Sequence, residues 1–138
     1  MNCTEFIASF EGFSPTPYKC QAGVWTIGYG STLGVTKDTP PITKEEALLL
    51  LEKDISRVKH SISKLIIVPL TENQRIALVS FTYNLGGGAL QRSTLRQKLN
   101  RGEYEEVPEE LMKWVWVGGI KQKGLVRRRE AEADLFVL

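Results

Sequence analysis

The sequence has little that could hold a metal or build a disulfide framework. It contains one histidine, His60, and two cysteines, Cys3 and Cys20. A single histidine leaves no ligand spacing typical of a metal site, so we predict no metal and no cofactor. Two cysteines are too few to replace a hydrophobic core in a small secreted domain. Any chemistry must therefore come from the side chains of the chain.

The sequence also lacks long hydrophobic runs. The most apolar run, residues 48–51, has charged residues near both ends and is too short to span a membrane. The first residues show neither the basic region nor the apolar region of a signal peptide. We therefore expect a chain that is made in the cytoplasm without stable membrane insertion. Whether an export segment lies upstream of these residues stays an open question.

Composition predicts one globular domain with an uneven surface charge. The chain has 138 residues, of which 42% are hydrophobic, and its net charge is only +2. Residues 91–129, however, carry ten lysines and arginines against five glutamates. This charge could be an ordinary solvated helical surface, or it could attract an anionic polymer such as a cell wall. Basic and aromatic residues do not interleave, so we predict no nucleic-acid partner.

Local patterns indicate a mostly helical chain with one small sheet. Residues 3–11 have helical spacing, and residues 16–34 favour a hairpin with its turn at 21–23. A capping box at Thr43 opens a long helix with an apolar stripe. The stripe consists of Leu51, Ile55, Val58, Ile62 and Leu65. Further helices are predicted from Thr71 to the glycines 86–88, from Ser93 to Gly102, over residues 104–117 and over residues 125–138.

These elements predict an α+β fold that is mostly α. The long helix could run from a small N-terminal lobe, which bears the hairpin, into a larger helical lobe. In the helical lobe we expect Ala77, Leu78 and Phe81 to be buried, together with Leu125, Leu135 and Phe136.

Glu11 is the first candidate for chemistry. It falls in the predicted last turn of the first helix, where the negative end of the helix dipole disfavours a charged carboxylate by about 0.3–1 kcal/mol. Phe10 and Phe13 could add desolvation. A carboxylic acid that stays protonated is suited to general acid catalysis. The alternative is a surface glutamate paired with an arginine.

Cys20 and Thr26 are candidates on the hairpin. Cys20 follows Lys19, whose positive charge would favour a thiolate. A cysteine peptidase would need His60 as partner, and nothing else supports that class. Thr26 points to the strand face opposite Trp25, although strand propensity alone explains a threonine there.

Several polar residues are candidates for ligand binding. Tyr83 and Asn84 stand at a predicted helix end beside glycines, where they could bind sugar or simply precede a C-cap. Ser93 could cap a helix instead of contacting a ligand. One of the arginines 127–129 could reach Glu11 or a ligand, or all three could form a solvated face. The predicted substrate-binding set is Tyr29, Thr32, Tyr83, Asn84, Ser93 and Arg127.

Three stretches, taken in order, resemble the phage-type lysozymes of glycoside hydrolase family 24. The first consists of Glu-Gly-Phe, then Pro-Tyr-Lys-Cys, then Gly-Val-Trp-Thr-Ile-Gly-Tyr-Gly. It places Cys20 nine residues after Glu11, and Thr26 six residues after Cys20. The second is residues 70–86, and the third is residues 124–132. The resemblance covers nearly the whole chain.

The resemblance implies a muramidase that cleaves the β-1,4 bond between N-acetylmuramic acid and N-acetylglucosamine in bacterial peptidoglycan. It implies lysis of the bacterium at phage release by a monomer that acts on the cell wall. Glu11 matches the acid of the family, and Thr26 matches its threonine. It further implies one lysozyme domain, residues 1–138. Its sheet lobe would span about 13–42, its connecting helix about 43–66, and its helical lobe about 67–138 plus 1–12.

The chain departs from the usual family pattern at position 20. Most members carry aspartate there, whereas Cys20 is similar to the residue of a minority, the secreted-anchor endolysins. Two other functions stay open. A lytic transglycosylase could use Glu11 alone, because that reaction needs no second carboxylate. A catalytically inactive wall-binding module would need none of these groups.

Overall fold

The computed structural model describes residues 2–138 as a mostly helical chain with two short antiparallel hairpins. The helices are α1 Cys3–Ala8, α2 Lys44–Leu65, α3 Glu72–Leu85, α4 Gly87–Arg92, α5 Thr94–Asn100, α6 Val107–Leu111 and α7 Lys123–Phe136. The strands are β1 Ser14–Lys19, β2 Trp25–Gly28, β3 Trp116–Val117 and β4 Ile120–Lys121. This confirms the predicted class, α+β and mostly α.

The chain divides into two compact units. The first ends at Arg57, the second is Val58–Leu138, and the boundary falls within α2. The lobe boundaries given above for one lysozyme domain stay a prediction. Residue 1, which that prediction includes, lies outside the described residues.

The first helix is shorter than predicted. Asn2 caps the helix, because its side chain accepts a hydrogen bond from Glu5 N–H, and the helix ends at Ala8 rather than at residue 11. Glu11 therefore follows the helix instead of closing it. The N–H groups of Phe10 and Glu11 still donate to the carbonyl of Ile7, at 3.0 and 3.2 Å.

The first hairpin forms where the sequence predicts it. Its turn closes through a hydrogen bond from Gly23 N–H to the carbonyl of Cys20 at 2.9 Å, and Gly23 adopts a φ of +80°. A positive φ of this size is readily adopted only by glycine. The ladder becomes irregular between Ser14 and Tyr18. Proline occupies positions 15 and 17 there, and proline has no N–H to donate to the ladder.

The long helix α2 confirms its capping box and most of its stripe. Thr43 Oγ1 accepts from Glu46 N–H at 3.1 Å, and Glu46 Oε1 accepts from Thr43 N–H at 3.0 Å. Leu51, Ile55 and Ile62 are buried. The other two members of the stripe, at positions 58 and 65, are half-buried.

The helix α3 also begins at its predicted capping box, formed by Thr71 and Gln74. Ala77, Leu78 and Phe81 are completely buried, as expected. In α7, Phe136 is buried, whereas the leucines at 125 and 135 are half-buried.

One predicted element of the second unit is wrong, and one helix is missing from the prediction. The glycines 86–88 end α3, as predicted, but they also begin α4, which the sequence does not indicate. The helix predicted over 104–117 is in fact a 3-10 turn at Tyr104–Glu106, the short α6, and then β3. Pro108 fits only the first turn of α6, and the β-branched and aromatic residues that follow favour a strand. Gly118 and Gly119, with φ of +57° and +78°, make the turn to β4.

A buried carboxylate joins α5 to α6. Glu110 is 2% exposed, and its Oε2 accepts hydrogen bonds from Lys98 Nζ at 3.0 Å and from Lys113 Nζ at 2.6 Å. Burial alone would raise the pKa of Glu110, but the two lysines outweigh it and hold that pKa below its ordinary value. The contact therefore stabilises the fold only while Glu110 is ionised.

The substitution Glu110→Gln should lower the free energy of unfolding at pH 7 by on the order of 1–3 kcal/mol, because charge-assisted hydrogen bonds are lost. The pKa of Glu110 is lower in the folded state than in the unfolded state. Its contribution is therefore complete above the ordinary carboxyl pKa and disappears as pH falls through the folded pKa. Urea unfolding of both proteins between pH 7 and pH 3 should show the two stabilities converging. A gap that stayed constant with pH would contradict the ion-pair explanation.

Candidate active site

The first hairpin places two of the three predicted catalytic residues on one face. In the ladder Tyr18 lies opposite Thr26, and Lys19 lies opposite Trp25. Residues directly opposite each other in an antiparallel pair share a face, and side chains alternate along each strand. Cys20 comes two residues after Tyr18, so Tyr18, Cys20 and Thr26 belong to the same face of the hairpin. Thr26 is 4% exposed.

The Cys20 thiol lies among hydrogen-bond donors. The backbone N–H groups of Val24 and Ala22 each lower the pKa of Cys20 by more than desolvation raises it, and the Thr26 hydroxyl makes a smaller contribution that lowers it further. Donors favour the charged form of a group because they stabilise its negative charge. The turn thus supplies an anion site at its tip. Lys19, which the sequence suggested as the cause, is not among the groups that shift this pKa.

The Thr26 hydroxyl has two possible acceptors. Its Oγ1 donates to the carbonyl of Val24 at 3.0 Å, and it also reaches the Cys20 sulfur. One hydroxyl carries one proton, so it can serve only one acceptor at a time. Loss of the thiol proton makes the sulfur a charge-assisted acceptor, which favours donation to sulfur.

Tyr18 is a member of this face that the sequence analysis did not select. Burial raises its pKa, and the negative charges of Glu11 and Cys20 raise it further. Both charges therefore lie within electrostatic reach of the Tyr18 hydroxyl. The alternation of the strand carried the signal, because Tyr18 precedes Cys20 by two residues.

The loop after β2 is held close to α2. Gly28 has a φ of +66°, and a Cβ on it would lie 3.1 Å from Cβ of Ala47, so only glycine fits without a shift. The Ser31 hydroxyl is buried and donates to Asp54 Oδ2 at 2.6 Å. Asp54 is also paired with Arg57. These contacts fix the segment that carries the predicted substrate-binding residues at 29 and 32.

Tyr29 and Thr32 differ in their surroundings. The Tyr29 ring packs against Phe13 with ring centres 5.5 Å apart, and it is half-buried. Thr32 is exposed, and its carbonyl accepts from Val35 N–H at 3.1 Å. A role for either residue in substrate binding stays a prediction.

The other four predicted binding residues belong to the second unit. Tyr83 and Asn84 are half-buried in the last turn of α3. Ser93 is 3% exposed and caps α5, because its hydroxyl donates to the carbonyl of Leu90 and accepts from Arg96 N–H. This is the capping role considered above, and contact of Ser93 with substrate stays a prediction.

Arg127 lies in the basic surface expected from the charge pattern. It is exposed and lines a shallow pocket of about 380 Å³ at the start of α7. The remaining lining residues are Lys121, Lys123, Val126 and Glu130. Three cations against one carboxylate give this pocket a positive potential. The two other arginines of the predicted trio, at 128 and 129, are buried.

Within residues 2–138, no group of His, Cys, Asp or Glu side chains is arranged to hold a metal ion. In the same part of the chain, no helix combines the length and apolar character needed to cross a membrane.

The whole chain was compared with known protein families. The model of the family described as phage lysozyme matches residues 8–132. The chain belongs to the phage lysozyme family. This confirms the resemblance seen in the sequence, together with the predicted class of enzyme, a glycosidase.

Individual relatives of this chain support the same assignment. The chain is 41% identical over 133 residues to the endolysin of Bacillus phage B103, covering 95% of the chain but only 51% of that protein. It is 40% identical over 130 residues to the SAR-endolysin of Enterobacteria phage P21, covering 91% of the chain and 76% of that protein. The chain thus spans about half the length of the first relative and three quarters of the second.

A solved structure shows that the fold is shared as well. The muramidase domain of SpmX from Asticaccaulis excentricus superposes with a TM-score of 0.91 at 33% identity. The match covers 99% of this chain and 95% of that domain. This agreement confirms the lysozyme-like α+β fold.

The surroundings of Cys20 lead to a direct test. In the variant Cys3→Ser, in which Cys20 is the remaining thiol, the thiolate absorbance near 240 nm should appear at a lower pH in the folded protein than in the same protein unfolded in urea. Thr26→Val should raise the folded midpoint slightly, because two backbone donors remain. The double variant Cys3→Ser/Cys20→Ser corrects for tyrosine absorbance. A folded midpoint at or above the unfolded one would refute the proposed anion site.

Proposed function

We propose that this phage lysozyme is a muramidase that hydrolyses the β-1,4 bond between N-acetylmuramic acid and N-acetylglucosamine in peptidoglycan. In this proposal the chain is a monomer, is made in the cytoplasm of the host and lyses the cell wall at phage release. The hairpin face that Cys20 shares with Thr26 is the observation that carries the proposal. Both residues stand at the spacing from Glu11 that is typical of the family, and the lowered pKa of Cys20 supports the same role.

The first step of the proposed reaction is proton transfer. The Glu11 carboxylic acid gives its proton to the glycosidic oxygen while the bond from that oxygen to the anomeric carbon breaks. The bonding electrons leave with the oxygen, so positive charge develops on the sugar ring. The proton that water releases when it later adds to the anomeric carbon restores the acid, and the sum is hydrolysis.

Cys20 acts in this proposal where most relatives use a carboxylate. As a thiolate it either stabilises the positive ring by its charge or attacks the anomeric carbon and is later displaced by water. Thr26 would position the thiolate or the water. The electrostatic form needs only a negative charge at this place, so aspartate should replace the cysteine.

The substitution Glu11→Gln should abolish lysis while the fold stays intact. Glutamine matches the shape of glutamate but has no acidic proton, and a general acid contributes about 10²–10⁴-fold to the rate. Clearing of a bacterial wall suspension measures the rate, and circular dichroism measures the fold. Glu45→Gln, the same change at an exposed position of α2, is the matched control. A Glu11→Gln protein with the control's rate would eliminate the assigned acid.

Substitutions at Cys20 should show whether the reaction needs a negatively charged group at this position. Cys20→Asp should stay active, because it preserves a negative charge, and Cys20→Ala should be at least about tenfold slower. Cys3→Ser is the matched control for the loss of a thiol and should leave lysis unchanged. If the alanine variant kept the control's rate, Cys20 would have no part in catalysis.

A lytic transglycosylase is the second candidate, and the lack of a carboxylate at position 20 favours it. Such an enzyme would cyclise the muramic acid on itself instead of adding water. Mass spectrometry of the released fragments decides between the two. Reducing muramic acid ends are expected from the hydrolase, whereas anhydro ends would reject it. Wall binding without any released fragment would instead support the inactive binding module.

A further inference from the structure

The helices α3 and α7 share a cluster of buried charges. Arg129 and Glu132 are both completely buried, and Arg129 Nε lies 2.8 Å from Glu132 Oε1. Arg129 Nη2 also donates to Glu132 Oε2 at 3.2 Å. Burial raises the pKa of Glu132 and lowers that of Arg129, so desolvation acts against both charges.

Further hydrogen bonds fix the position of the carboxylate. The Ser80 hydroxyl donates to Glu132 Oε2 at 2.5 Å and accepts from Arg128 Nε at 3.2 Å. Arg128 Nη2 also donates to the backbone carbonyl of Ser80 at 3.2 Å. Glu132 is therefore held from both α3 and α7, and it holds Arg129 in turn.

Arg129 extends this cluster to Asn84. Its Nη2 lies 2.7 Å from Asn84 Oδ1. A guanidinium has only donors, so the atom of the Asn84 amide that contacts it must be the oxygen. The two N–H groups of Asn84 therefore point away from Arg129. Asn84 itself is half-buried in the last turn of α3.

Stability is a poor explanation for such a cluster. A buried ion pair can often be replaced by apolar side chains of similar size with little loss, and sometimes with a gain, of stability. What apolar side chains could not do is hold the Asn84 amide in one orientation. The cluster thus provides an orientation that packing alone would not.

We propose that Arg129 is a positioning residue that turns the N–H groups of Asn84 toward the saccharide. Asn84 then donates to an acceptor oxygen of the glycan, such as an acetamido carbonyl or a hydroxyl oxygen. The inference rests on the proposed function, because it takes the glycan strand as the ligand. It adds the direction of the hydrogen bond and the residues that enforce that direction.

The substitution Asn84→Asp tests the direction. Aspartate has the same shape and keeps the contact with Arg129 as an ion pair, so the fold should be preserved. It has acceptors only, so its hydrogen bond to the sugar should be lost. We expect affinity for a soluble N-acetylglucosamine oligosaccharide to fall by on the order of 10-fold or more. Asn73→Asp, in the first turn of α3, is the matched control and should bind like wild type. Wild-type affinity of Asn84→Asp would overturn the inference.

The role of Arg129 needs a variant that leaves no buried charge without a partner. Arg129→Met removes the contact with Asn84, and Glu132 keeps its ion pair with Arg128, whose Nε lies 3.5 Å from Glu132 Oε2. We expect KM on wall fragments to rise by a similar factor while kcat changes less than about twofold, because orientation of Asn84 affects binding. Adding Asn84→Ala should cause little further loss, since the two changes remove one interaction. An unchanged KM in a folded Arg129→Met protein would overturn the positioning role.

A spectroscopic measurement distinguishes failure of this inference from failure of the proposed function. The side-chain NH2 signals of Asn84 can be assigned by their loss in Asn84→Asp. On addition of the oligosaccharide they should shift together with nearby backbone amides. If backbone signals shift while the Asn84 NH2 pair does not, the inference fails and the proposed function stands. If wild type neither binds the oligosaccharide nor clears walls, the proposed function fails first.

Discussion

The candidate site depends on the tight turn between β1 and β2. The hydrogen bond from Gly23 to the carbonyl of Cys20 closes the turn, and the ladder that follows places Tyr18 opposite Thr26. The N–H groups of residues 22 and 24 in the same turn lower the pKa of the Cys20 thiol. One local backbone geometry therefore sets both which side chains share a face and which groups stabilise a thiolate there.

The second unit contains charged side chains in its interior, where each of them needs polar partners. Its buried charges lie in two clusters, around Glu110 and around Glu132, and each carboxylate has at least two polar partners. The cluster at Glu110 joins neighbouring helices near the protein surface. The cluster at Glu132 is buried, and its outermost member is Asn84, which is half-buried in the last turn of α3. We infer that the cluster at Glu110 stabilises the fold and that the cluster at Glu132 orients the Asn84 amide.

Local signals predicted the fold well wherever they were strong. Capping boxes at Thr43 and Thr71 gave the starts of α2 and α3, and Ser93 gave the start of α5. Where the local sequence signals were weak, the secondary-structure predictions were wrong or incomplete. In residues 104–117 the proline and the β-branched and aromatic residues after it disfavour one long helix only weakly, and β3 is stabilised by pairing with β4 across the turn. The glycines 86–88 end one helix and begin the next, since glycine permits both conformations.

By itself the sequence determined the fold class, the family and the residues worth testing, because these are carried by periodicity and by the spacing of Glu11, Cys20 and Thr26. Only the tertiary structure decided how those residues are surrounded. The structure shows that Glu11 lies after the end of its helix and that Tyr18 belongs to the site. It also shows that backbone N–H groups, and not Lys19, lower the pKa of the Cys20 thiol. It also separated Arg127, which is exposed, from its two buried neighbours. The physical reason is that a charge responds to groups within a few ångströms in space, and most of those groups are brought there by a turn or by a packed helix.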